Sequence, residues 1–153
     1  MKTNTFKQSV IDTCKHLLQQ RAFTAEQAMN AAQEAANGED KSSAGDKYET
    51  SRAMGQLDRN MNAKQLAEVQ KELAELERLE KNPPKTDMVY SGSLIKTSMG
   101  YLYIALGLGK QEIEKQHVVL LSKNSPLALS LLGKKAKEQI AFNGNKISVE
   151  QIL

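Results

Sequence analysis

Tryptophan is absent from this chain of 153 residues, and aromatic side chains make up only 5% of it. Surfaces that stack nucleobases need aromatic faces, so this composition argues against a base-stacking nucleic-acid module. The formal net charge of +3 is also too small to signal nucleic-acid binding by bulk charge. A single cysteine, Cys14, can close no internal disulfide and fits a reducing cytoplasm. Its place among apolar residues at helical spacing reads as packing rather than as a reactive thiol. No apolar run approaches the roughly 18–20 residues of a membrane-spanning helix. Residues 1–8, Met-Lys-Thr-Asn-Thr-Phe-Lys-Gln, lack the apolar core of a signal peptide. These absences predict a cytoplasmic protein with no membrane partner.

Proline is scarce as well, and its placement divides the chain. Neither proline nor glycine occurs from Thr5 to Ala36. Over that stretch Phe6, Val10, Cys14, Leu17, Leu18, Ala25, Ala28, Ala32 and Ala35 recur mostly at three- and four-residue steps, the stripe of a helix. Thr24 and Gln27 have capping-box spacing, but Phe23 and the alanines fit a helix that continues through them. A polar, glycine-bounded segment from Gly38 to Glu49 follows, where Gly38 and Gly45 suit a reversal and Ser42, Ser43 and Asp46 offer helix-capping oxygens. A second stripe runs through Met54, Leu57, Met61, Leu66, Val69, Leu73, Leu76 and Leu79, and Leu66–Leu79 is rich in strong helix formers. The reading is an antiparallel helical hairpin, a coiled coil over residues 1–82 with its tip near 38–47. At about 1.5 Å per residue, each arm would be roughly 50 Å long.

Asn82-Pro83-Pro84-Lys85-Thr86 ends the second helix, because consecutive prolines remove amide donors and force extended geometry. We take 83–86 as a linker and 87–153 as a second domain; residues 83–153 are mildly basic, with nine Lys/Arg against five Asp/Glu. Its periodicity is that of strands: Met88–Tyr90, Leu94–Thr97, Tyr101–Ala105 and His117–Leu121 are short β-favouring runs punctuated by glycines. Ser125-Pro126 opens a short helix that Gly133 closes. Residues 138–142 and 146–149 flank an Asn143-Gly144 turn, the signature of a hairpin. The fold class is therefore α+β: a helical hairpin followed by a small, mostly antiparallel β domain with one short helix.

Catalytic motifs are missing. Gly107-Leu108-Gly109 lacks the third glycine of a dinucleotide fingerprint. His16 and His117 stand far apart without the neighbours of a metal site or a triad, and no serine lies in a nucleophile elbow. The expectation is a protein with no active site of its own.

Two features resemble one family. The run Asn124-Ser125-Pro126-Leu127-Ala128-Leu129-Ser130-Leu131-Leu132-Gly133-Lys134-Lys135, followed by Glu138-Gln139-Ile140, resembles the C-terminal signature of the bacterial transcript-cleavage factors GreA and GreB. The order of a long helical hairpin, a linker and then this domain is similar to theirs. Tyr48-Glu49-Thr50-Ser51-Arg52 also resembles the family's Tyr-x-x-x-Arg at the start of the second helix.

The resemblance implies an FKBP-like C-terminal domain that docks on bacterial RNA polymerase beside its secondary channel, with Ser125, Pro126, Lys134 and Lys135 as candidate docking residues. It also implies a hairpin tip directed at the polymerase active site and, indirectly, at the 3′ end of the nascent RNA. There two tip acids would share a second Mg²⁺ with the polymerase, since paired carboxylates suit a hard cation. The isolated factor would hold no metal or cofactor of its own. In the family the two acids lie just before the tyrosine with Asp-x-x-Glu spacing. An ungapped match of Tyr48 and Arg52 puts Lys41 and Ala44 at those positions, so the candidates are Glu39 and Asp40 upstream and Asp46 and Glu49 downstream. The expected function is modulation of transcription elongation, by stimulating cleavage of backtracked RNA or by occupying the channel without cleavage. Readings of another class are an FKBP-like prolyl isomerase and a helical scaffold.

Overall fold

The computed structural model describes residues 2–38 and 45–153, and the surroundings of side chains at 5–35, 50 and 52–153. Two α-helices of 37 residues each, α1 (Lys2–Gly38) and α2 (Gly45–Lys81), pack against one another. The Thr24–Gln27 pair does not interrupt α1. Six strands and one short helix follow, so the chain is α+β with a mostly antiparallel sheet. Two compact units divide it: residues 17–74, and residues 1–16 together with 75–153.

The described residues of the unit at 17–74 are all helical. Leu18, Ala25 and Val69 are its buried apolar side chains among the described residues. A groove of about 500 Å³ runs between the helices, lined by Arg21, Ala25 and Ala28 on α1 and by Asn62, Gln65 and Val69 on α2. Met54, Leu57 and Met61, expected in the packed stripe, are instead 62–64% exposed, as is Phe23 at 63%. The reason is local: the α1 stripe here is alanine, whose single side-chain carbon provides little cover for a methionine or leucine.

In the second unit the strands are β1 (Leu94–Thr97), β2 (Gly100–Ala105), β3 (Gly109–Ile113), β4 (Gln116–Ser122), β5 (Gln139–Phe142) and β6 (Asn145–Ile152), with α3 (Pro126–Leu131) between β4 and β5. They form one sheet in the order β3-β4-β2-β1-β6-β5. Every neighbouring pair is antiparallel except β2 and β4, which run parallel with Tyr103 beside Leu120.

Strand alternation sorts the sheet into two buried faces. Leu94, Tyr103 and Leu120 are register partners on one face. The helix ends belong to this unit too, with Phe6, Val10, Ile11 and Cys14 of α1 and Leu76 and Leu79 of α2 buried. The Phe6 and Tyr101 rings lie 4.7 Å apart, tilted by 55°. Polar ties surround them. Gln8 Nε2 donates to Glu80 Oε2 at 2.8 Å, Lys15 Nζ pairs with Glu80 Oε1 at 2.8 Å, Ser9 Oγ donates to Glu114 Oε1 at 2.8 Å, and Lys7 Nζ donates to the Leu153 carbonyl at 3.2 Å. On the opposite face Ile95, Leu102 and Ile104 pack with Val89, Val149 and Ile152 against Ala128 and Leu131 of α3. Each such fully buried aliphatic side chain contributes about 1.5–3 kcal/mol.

Three details differ from the sequence reading. Met88–Tyr90 is not a strand; Val89 instead donates its N–H to the Lys134 carbonyl at 2.8 Å and accepts from Gly133 N–H at 2.9 Å, pinning the segment to the end of α3. Strand β3 was not foreseen, because Lys110, Gln111 and Glu112 lack strand propensity and occupy an edge where one flank faces water. Its turn is unorthodox too: Glu114 and Lys115 both have positive φ, 51° and 66°, where Asn and Gly are favoured. The Asn143-Gly144 turn behaves as expected, with φ of 51° and 79°.

Candidate functional site

Two surfaces carry the residues singled out above. At the hairpin tip, Gly38 is the last residue of α1 and Gly45 the first of α2. Glu39 and Asp40, like Ser42 and Ser43, lie outside the described residues. Asp46 and Glu49 are in the opening turns of α2, and their side chains also lie outside the described set.

The second surface is built on α3. Ser122 ends β4, and the chain turns so that Ser125 N–H donates to the Ser122 carbonyl at 3.0 Å. Ser125 then caps the helix: its Oγ accepts from Ala128 N–H at 3.3 Å and donates to the Ser122 carbonyl at 2.8 Å. Pro126 follows at the first helical turn, where its missing N–H costs no hydrogen bond. The cap thus spends the Ser125 hydroxyl on local structure, while Pro126 is exposed. Gly133, with φ of 83°, turns the chain out of the helix. Lys134 is half-buried and gives both backbone groups to internal bonds; Lys135 is exposed, and its N–H donates to Glu138 Oε1 at 3.2 Å.

Sequence reasoning treated the leucines of this run alike, and the structure separates them. Leu131 is buried, Leu127 and Leu132 are half-buried, and Leu129 is 58% exposed. Helical geometry held the signal, since Ala128 and Leu131 share a face that Leu129 leaves.

Electrostatic perturbations cluster where the helices meet the sheet. Burial pushes the Cys14 thiol up to about 12. Burial also raises the Tyr103 phenol, with Cys14 and Glu80 adding to the effect, and the Tyr103 hydroxyl has no hydrogen-bond partner among the described residues. The hydrogen bond from Lys15 holds the Glu80 carboxyl below its usual range, and the same bond raises Lys15. Desolvation lowers Lys7.

No group of three or more His, Cys, Asp or Glu comes together among the described residues, and none of their helices is long and apolar enough to cross a membrane. A concavity on the sheet, bordered by Met99, Lys110, Glu112, His117 and Val119, has no Phe, Tyr or Trp in its lining. Tyr101 and Tyr103, two of the aromatics a prolyl pocket would draw on, are committed elsewhere: Tyr101 stacks on Phe6 and Tyr103 is fully buried. No family model matches the chain, and no curated protein matches it.

Proposed function

We propose that this chain is a Gre-like factor that binds bacterial RNA polymerase at the secondary channel and modulates elongation from there. One observation carries the reading. Two uninterrupted 37-residue helices, separated by six residues, precede an α+β unit whose short helix is capped by Ser125, entered through Pro126 and left through Gly133. That is the order and local construction the family resemblance calls for. In this reading the sheet unit docks on the polymerase and the hairpin tip is directed toward its active site, in the cytoplasm.

Asp46 and Glu49 fit the part of metal-facing acids in type, since carboxylates offer the hard oxygen donors that Mg²⁺ takes. The ion belongs to the polymerase and supplies Lewis-acid chemistry there. The contribution of this chain is to present negative charge, and its own fold performs no catalysis. Lys41 and Ala44, standing where the ungapped family match expects acids, favour the second form of the reading, in which the factor fills the channel without stimulating cleavage.

The test is transcript cleavage in a stalled, backtracked elongation complex, with binding of the full chain followed in parallel. Accelerated cleavage that is lost in Asp46→Ala with Glu49→Ala, at unchanged affinity, supports the cleavage form. Binding without acceleration supports the channel-filling form. Absence of binding sinks both and leaves the scaffold reading, while turnover of a prolyl peptide would reveal an enzyme.

A further inference from the structure

Strand β3 ends the sheet on one side and has a single neighbour, β4. Its other flank therefore presents backbone N–H and C=O groups that no strand of this chain pairs. Proteins usually blunt such an edge with proline, with a bulge or with charge of one sign. None of these protects β3. It contains no proline, its Lys110 is balanced by Glu112, and its register with β4 runs unbroken from Gly109 beside Leu120 to Ile113 beside Gln116. The opposite edge, β5, is shorter and carries no charged side chain that could select a partner.

Lys110 and Glu112 are both exposed and, two residues apart on a strand, stand on the same face of the sheet. Their neighbours on β4 are Val119 and His117, and no ion pair among the described residues engages either of them. The order Lys110-Gln111-Glu112 is self-complementary when read antiparallel. A second β3 laid alongside, with a twofold axis at Gln111, puts each Gln111 beside its counterpart and each Lys110 opposite Glu112 of the other copy. Opposite charges facing across a strand pair stabilise it, and like charges destabilise it. A slip of two residues in either direction, the smallest that keeps the faces aligned, sets Lys110 opposite Lys110 or Glu112 opposite Glu112. Parallel pairing in register also places like beside like. One arrangement is thus selected by charge.

We propose that β3 is an interface between two copies of this chain, which pair antiparallel at this edge and join their sheets across a twofold axis. The ladder of main-chain hydrogen bonds supplies adhesion, and the two Lys110–Glu112 pairs set register and direction. Such a contact is isologous and closes at two copies, whereas β3 against the β5 edge would be heterologous and would propagate into a filament. With five residues a side, it belongs to the small, weak class of association. It involves none of the residues assigned to the polymerase, so it stands or falls independently of that reading.

Sedimentation equilibrium of the full chain tests it, from about 10 μM to about 1 mM and at low and moderate salt. Wild type, Lys110→Glu, Glu112→Lys and the double exchange Lys110→Glu with Glu112→Lys are compared. Both positions are exposed, and thermal melts confirm that each variant is folded. Wild type is expected to show a monomer–dimer equilibrium without larger species, weakened by salt. Either single reversal should raise the dissociation constant about tenfold, since it turns both attractive pairs into repulsive ones. The double exchange should restore the wild-type value, and an equimolar mixture of the two single variants should associate more tightly than either alone. A wild type that stays monomeric throughout this range overturns the proposal. So does a dimer indifferent to both reversals, which would place the contact elsewhere, or a double exchange that fails to recover association. Open-ended growth in place of a dimer would overturn the twofold arrangement.

Discussion

Cys14 makes the protein vulnerable to alkali in a calculable way. The thiol is fully buried, and its burial carries the pKa from 9.0 to about 12. Below pH 9 the thiol is neutral in both folded and unfolded chains and does not penalise folding. Between pH 9 and 12 only the unfolded chain releases the proton, so stability falls by about 1.4 kcal/mol per pH unit. By pH 10 the loss from this one group is about 1.4 kcal/mol. Cys14→Ala removes the slope and sacrifices packing worth about 1 kcal/mol. Urea unfolding followed by circular dichroism at pH 8, 9, 10 and 11 should therefore show two crossing lines. The variant is the less stable protein at pH 8, and above about pH 10 it becomes the more stable one. Other groups that titrate in this range do so in both proteins and cancel in the difference, apart from the share of the Tyr103 shift that Cys14 itself contributes. Parallel lines would refute the reasoning, since they would mean that Cys14 ionises as easily folded as unfolded.

Other substitutions probe neighbouring contacts. Tyr103→Phe deletes a buried hydroxyl with no partner among the described residues, so it should leave stability unchanged or raise it by about 1 kcal/mol; a loss beyond that in a denaturant titration would mean the hydroxyl is bonded. Gly92 has φ of 93°, and an added Cβ would lie 2.6 Å from Leu79 Cδ2, so Gly92→Ala should cost roughly 2 kcal/mol; adding Leu79→Ala should prove less than additive in a double-mutant cycle. Ser125→Ala should cost about 1 kcal/mol in a thermal melt, with Ser125→Asp recovering most of it. Replacing Met54, Leu57 and Met61 together with Gln should change stability little, about 0.5 kcal/mol per site at most, and a larger loss would show that these side chains are covered in solution.

The features legible in the sequence are those whose cause is local. Ser125, Pro126 and Gly133 specify α3 by cap, ring and turn, and Asn143-Gly144 specifies its hairpin by positive φ. The long helices were legible because nothing between Thr5 and Ala36 breaks a helix. Features set by distant partners were not. Val89 has strand character, yet its hydrogen bonds go to Gly133 and Lys134 rather than to a neighbouring strand. The parallel β2–β4 pair depends on β3 stepping out to the sheet edge, and nothing in Tyr101–Ala105 or His117–Leu121 encodes that detour. At the α3 surface the lysines were visible as letters, whereas the exposure of Leu129 required knowing which side of the helix the sheet would claim.

The gathering of residues 1–16 with 75–153 in one compact unit has a consequence for synthesis. A ribosome delivers the first turns of α1 long before Tyr101, Glu114 and Leu153, which Phe6, Ser9 and Lys7 contact. Until those strands emerge, Phe6, Val10, Ile11 and Cys14 lack the sheet they pack with in the finished fold. The nascent chain must therefore carry an uncovered greasy helix through most of translation. That interval, rather than the finished protein, is where a chaperone would have its opportunity. Cutting the chain at the Pro83-Pro84 boundary would recreate the same predicament permanently, since the strands would be parted from the helix turns that roof them.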